Sequence, residues 1–126
     1  MRAAEIRRIA ELYGFHYMGE VLPPSLPLRD LPLLRITSVW NAIDGERRGR
    51  RVVAFDCRFG EGKGSWRRTV IAVRTEVGNV GASVFAPDVS IEQYQSWAII
   101  WRPKKFILDK GGLMPIMELR ARLESL

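Results

Sequence analysis

With one cysteine and one histidine, the chain lacks most of the side-chain chemistry on which metal and nucleophile sites depend. Cys57 has no second cysteine to bond, so the disulfide framework of a small secreted protein is excluded. It stands in one alternating run with Val53, Phe55 and Phe59, where a free thiol packs as a small hydrophobe. His16 lies between Phe15 and Tyr17 and, without a second histidine or an HExxH partner, reads as a packed or surface imidazole. No metal and no cofactor is expected. Long apolar runs are missing as well: none approaches the roughly 18 residues of a membrane span. The opening MRAAEIRRIAELYGF carries charges every few residues where a signal peptide is continuously apolar. A soluble, cytoplasmic chain without a transmembrane segment is expected, with a peripheral membrane position as the alternative.

Catalytic signatures are equally scarce. GEGKGS, residues 60–65, has Cys57 where a P-loop needs its first glycine, Gly64 where it needs Ser or Thr, and a strand pattern where it needs a helix. Ser65 stands where the dinucleotide fingerprint places its third glycine, so the stretch reads as a hairpin loop. There is no GxSxG elbow, and Asp44, Asp56, Asp88 and Asp109 are isolated carboxylates. No catalytic residue is assigned.

What is present suits one globular domain over residues 1–126: 47% hydrophobic and 27% charged residues, enough to bury a core. Ile6, Ile9, Ala10 and Tyr13 fall on one helical face, and Gly14 follows as a left-handed cap, giving an N-terminal helix over residues 1–14. Residues 18–34 hold four prolines and six leucines, an extended connector packed against the domain. Two apolar runs, Ile36 to Ile43 and Val52 to Phe59, flank the link DGERRGR, and Thr69 to Val73 adds a third strand. With the second hairpin centred on Gly62, Phe55 faces Thr69, and Asp56 faces Arg68. Ala82 to Ala86 reads as a fourth strand, and Ser90 with Gln93 as a capping box opening one helical turn. Ser96 to Trp101 and Lys105 to Asp109 read as a closing hairpin. Pro115 opens a C-terminal helix, residues 114–126, striped by Ile116, Leu119, Leu123 and Leu126. The fold class is α+β: an antiparallel meander of about six strands over residues 35–110, with both helices on the face that carries Val53, Phe55 and Phe59.

Two surfaces stand out. Arg47, Arg48, Arg50 and Arg51 place four guanidiniums at one end of the sheet in a chain with net charge +6, a candidate contact for phosphates or carboxylates. Trp97 and Trp101 project from one side of a late strand, a candidate surface for a protein partner or a homodimer if they lie exposed.

Residues Asn41 to Asp56, NAIDGERRGRRVVAFD, resemble a stretch of uncharacterised bacterial proteins in which a short helix precedes a hairpin of the form N-x3-G-x3-G-R-x-V-x2-F-D. The matching positions are Asn41, Gly45, Gly49, Arg50, Val52, Phe55 and Asp56. The helix ending Tyr13-Gly14-Phe15 and the closing strand and helix fit the same pattern. Many such proteins carry a membrane-spanning helix and a longer middle section, neither of which is present in these residues. The resemblance brings no activity, and its motif residues have the character of turn and core positions. The expected function is therefore a non-enzymatic binding or protein-interaction module. The alternatives are a small enzyme with a dispersed site, or an electrostatic binder of nucleic acid or anionic lipid through the arginine turn.

Overall fold

A computed structural model describes residues 1–24, 26, 36–60, 66–74, 90–94, 96–101 and 112–126. The N-terminal helix forms as Arg2–Tyr13, α1, and stops where the sequence places its stop signal. Gly14 sits at φ 73°, and the N–H of Phe15 reaches Ala10 O at 2.7 Å while that of Gly14 reaches Glu11 O at 3.3 Å. This paired cap turns Phe15 back under the helix. The chain then enters β1 (His16–Gly19), β2 (Ile36–Arg47), β3 (Arg50–Phe59), β4 (Trp66–Arg74), β5 (Ser90–Tyr94), β6 (Trp97–Trp101) and α2 (Ile116–Ser125).

Among the described residues, five strands of five residues or more and the four-residue β1 make one antiparallel sheet in the order β1-β2-β3-β4-β6-β5. The architecture is α+β with a helix at each end, but the strands are not all the expected ones. β1 follows directly from the α1 cap and pairs with β2. Ser90–Tyr94 is a strand instead of a helical turn: its ladder with Trp97–Trp101 outweighs a local capping signal. Because β6 lies between β4 and β5, the meander ends at β4 and the chain crosses to the outer edge before returning. The expected strands at 82–86 and 105–109 lie outside the described residues.

The larger correction concerns which face the helices cover. Val52, Ala54, Ile71, Val73, Ala98 and Ile100 pack with Ile6, Ile9, Phe15, Leu119 and Leu123, so α1 and α2 lie on the even-numbered face of β3. Val53, Phe55 and Cys57 belong to a second core on the opposite face, with Val70, Ala72, Trp97 and Ile99, closed by Leu26 and edged by Met18, Leu22 and Trp101. The Val53, Phe55, Phe59 stripe is the more apolar of the two, which is why the alternation points to it. The helix-covered face instead uses small residues, Val52 and Ala54, and buries one charge, Asp56. Of the connector's leucines, Leu22 and Leu26 lie among the described residues, and both pack on the Phe55 face; the connector's other leucines lie outside them.

Two register details also differ. β3 and β4 pair as Phe55 with Val70, Asp56 with Thr69 and Cys57 with Arg68, one residue from the expected pairing, so Arg68 shares a face with Cys57 and not with Asp56. In β2 a bulge lies between Trp40 and Ile43, with Asn41 at φ 53°. The extra residue reverses the alternation. Val39 therefore joins the Phe55 core and Ile43 the helix-side core, although simple alternation places them together.

Candidate functional site

The buried polar groups converge on Asp56, which is fully buried on β3. The guanidinium of Arg2, in the first turn of α1, grips it with two bonds, Nε to Oδ2 at 2.7 Å and Nη2 to Oδ1 at 2.9 Å. Thr69 Oγ1 donates to Oδ1 at 2.7 Å and Asn41 Nδ2 to Oδ2 at 3.1 Å. Four donors fill the carboxylate's acceptor positions, the condition under which a buried charge is tolerated. Around this shell, Arg2 Nη1 donates to Met114 O at 2.6 Å. Met114 N donates to Thr69 Oγ1 at 2.9 Å, and Tyr17 OH to Asn41 Oδ1 at 2.8 Å. The network joins α1, β1, β2, β3, β4 and the lead into α2. The space against Asp56, bounded by Ile6, Asn41 and Leu119, does not admit a water molecule. Asp56 is thus a structural tie. The left-handed bulge at Asn41 aims its amide at the carboxylate, which links the two ends of the N…FD pattern.

The arginine turn is tighter than its sequence suggests. Arg48 and Gly49, at φ 51° and 80°, form a two-residue connection between β2 and β3 with the twist hairpins favour. Arg47 Nε donates to Leu123 O at 3.2 Å and its Nη2 to Glu124 O at 3.3 Å, with its guanidinium 4.9 Å from the Tyr13 ring centroid. Arg48 Nη2 adds a bond to Glu124 O at 3.4 Å. Both side chains therefore cap the carbonyl end of α2. Arg51 makes a two-pronged contact with Asp44, Nη2 to Oδ2 at 2.9 Å and Nε to Oδ1 at 3.2 Å, and this bond raises the guanidinium's pKa. Arg50 is exposed and, among the described residues, its side chain makes no hydrogen bond or ion pair.

The tryptophan surface depended on exposure, which Trp97 does not have. Trp97 is 2% exposed in the Phe55 core and Trp101 is half-buried at its margin, because β6 is an inner strand covered on both faces. Trp97 therefore offers no contact surface. Arg68 closes that end of the core, its guanidinium 3.4 Å from the Phe59 ring centroid and 5.3 Å from that of Trp101. Burial draws its pKa down to about 10. Cys57 is wholly buried on the same face, and desolvation pushes its thiol up to about 12, the state of an inert core cysteine. His16 is exposed on β1, and among the described residues no group of three His, Cys, Asp or Glu could hold a metal.

An open groove borders the first half of β2, a feature the sequence reading missed. A cavity of about 430 Å³ touches Glu20, Thr37, Ser38, Val39 and Trp40. A second, of about 340 Å³, touches Glu20, Val21, Leu22, Pro24, Leu26 and Val39. Glu20 and Val39 line both. The groove exists because β1 stops short: Gly19, at φ 67°, turns the chain out of the sheet after pairing with Ala42. The MGEV segment carried a signal for this, a glycine closing a short β-like run, but nothing local shows which strand it leaves uncovered.

No protein family, curated protein or solved structure matches the chain. Among the described residues no helix is long and apolar enough to cross a membrane.

Proposed function

We propose that the chain is a non-enzymatic interaction domain whose contact surface is the groove along the first half of β2. The observation that carries this reading is the pair of adjoining cavities at Val39, each of the size that binding pockets have, beside the exposed Thr37 and Ser38. The other polar clusters named above are engaged internally. Asp56 is saturated, and Arg47, Arg48 and Arg51 hold the end of α2 and Asp44. Binding of nucleic acid or anionic lipid through the turn has less support, since Arg50 alone of the four is uncommitted among the described residues.

The test is selection of a random peptide display library on the immobilised protein, followed by titration of the recovered peptides. Ser38→Arg and Glu20→Lys change exposed groove residues and leave the core alone. Recovered peptides are expected to lose roughly tenfold or more in affinity on either variant. No enriched peptide, or binding indifferent to both variants and abolished by Arg50→Gln, overturns the proposal.

A further inference from the structure

Resting on that reading of the groove, we infer that its ligand is an extended peptide that joins the sheet as an added strand along residues 36–41 of β2. The cavity lining carries the argument. Successive residues of a strand point to opposite faces, so a space over one face meets every second residue. The larger cavity instead meets Ser38 and Trp40 as well as Val39, residues of both faces. A space that touches both lies at a strand's edge. The other edge of this segment is taken by β3, through Ser38 with Arg58, Val39 with Cys57 and Trp40 with Asp56.

Among the described residues the free edge faces the side on which β1 lies. β1 pairs only with Ala42, Ile43 and Asp44, and it is the last strand of the sheet on that side. Beyond it, among the described residues, Ser38, Val39 and Trp40 keep a continuous register with β3, and their main-chain groups turned away from β3 face the cavity without a strand partner. Main-chain groups in that periodic arrangement are matched by another main chain, so the ligand class is polypeptide. An added strand would continue the line of β1, beginning where Gly19 leaves the sheet.

Of the features that keep exposed edges from pairing, the edge carries a register shift between Ile36 and Ser38 but few others. Ile36-Thr37-Ser38-Val39-Trp40 contains no lysine, proline or inward-pointing charge and is rich in strand-forming residues. Thr37–Trp40 spans about 13 Å, room for a ligand of roughly four or five residues. Specificity would come from side-chain sites on alternate residues. The smaller cavity offers an apolar site between Leu22, Leu26 and Val39. Among the described residues Glu20 is the charged residue that lines both cavities, and it favours a basic residue in the ligand beside the apolar one.

The experiment uses a peptide recovered from the library and its twins N-methylated at single backbone amides, titrated into the intact chain, with residue-resolved amide exchange. N-methylation at alternate positions should weaken binding roughly tenfold each, with the intervening positions tolerant. Amides between Ile36 and Asn41 should gain protection in the complex. A recovered peptide that loses affinity on Ser38→Arg and Glu20→Lys, yet tolerates N-methylation everywhere and leaves these amides unprotected, overturns the added strand while the groove reading stands. Failure to recover any groove-dependent peptide removes both. Self-association of the free chain in sedimentation, abolished by Ser38→Arg, would give the edge to a second copy and also overturns the peptide proposal.

Discussion

Replacing Arg2 by methionine takes one partner from the buried network and leaves Asp56, with no exposure of its own, held only by Thr69 and Asn41. Removing one member of a buried pair costs about 3 to 5 kcal/mol, because the remaining charge keeps its desolvation penalty. Asp56→Asn is the gentler change. Its orphan is the Arg2 side chain, 24% exposed and able to regain water, and its cost belongs near the bottom of that range. Arg2→Met should therefore destabilise more than Asp56→Asn, although it deletes the more exposed partner. Urea denaturation measures both: with a slope of about 1 to 3 kcal/mol per molar, a loss of 3 kcal/mol moves the midpoint by roughly 1 to 3 M. The double variant Arg2→Met with Asp56→Asn should cost less than the sum of the singles by roughly 2 kcal/mol, since neither charge is then stranded. Singles that each cost under about 1 kcal/mol and add independently would mean the contact behaves as a surface ion pair, and the structural role assigned to Asp56 would fall.

Three further outcomes follow from particular contacts. A Cβ on Gly45 would stand 2.2 Å from a ring carbon of Phe15, so Gly45→Ala should destabilise by about 1 to 3 kcal/mol, and Phe15→Leu should recover part of the loss in a double variant; a neutral Gly45→Ala refutes that packing. Cys57, raised by burial from 9.0 to about 12, stays protonated in the folded chain while the unfolded thiol ionises. Its contribution is intact below pH 9 and is lost as pH rises from there toward 12, so Cys57→Ala should show a flatter stability curve over that window, and the native thiol should resist alkylation at pH 8 until denaturant is added. Replacing Arg47, Arg48, Arg50 and Arg51 together by Gln should cost about 1 kcal/mol through the freed carbonyls of α2, whereas Arg50→Gln should leave the denaturation midpoint unchanged; equal midpoints for both variants would show that the capping bonds carry no stability.

Elements set by local pattern were legible in the sequence, and those set by distant contacts were not. α1, with its Gly14 cap, and the α2 stripe of Leu119, Leu123 and Leu126 show in spacing alone. So do β3 and β4, whose apolar runs alternate cleanly. The partner of Asp56 does not, because Arg2 lies 54 residues away and the alternation offers Arg68 nearer at hand. A single bulge at Asn41 moves Val39 and Ile43 to opposite cores, and no propensity marks it beyond an asparagine tolerant of left-handed geometry. The choice of sheet face failed for a related reason. In a sheet covered on both sides, the more apolar stripe of β3 need not be the one beneath the helices. The arginine turn was legible as a cluster, but its engagement with Leu123 and Glu124 depends on where α2 ends in space. The groove is, among the described residues, an absence of pairing beside β2, which strand signals cannot express.

The open edge is tested most directly by residue-resolved amide hydrogen exchange on the free chain. Ile43 and Asp44, paired with both β1 and β3, should be protected, whereas from Ser38 to Trp40 slow and fast amides should alternate, the fast ones being those turned away from β3. Slow exchange at every amide from Ser38 to Trp40 would show that the edge is already paired, and would contradict the groove as a binding surface.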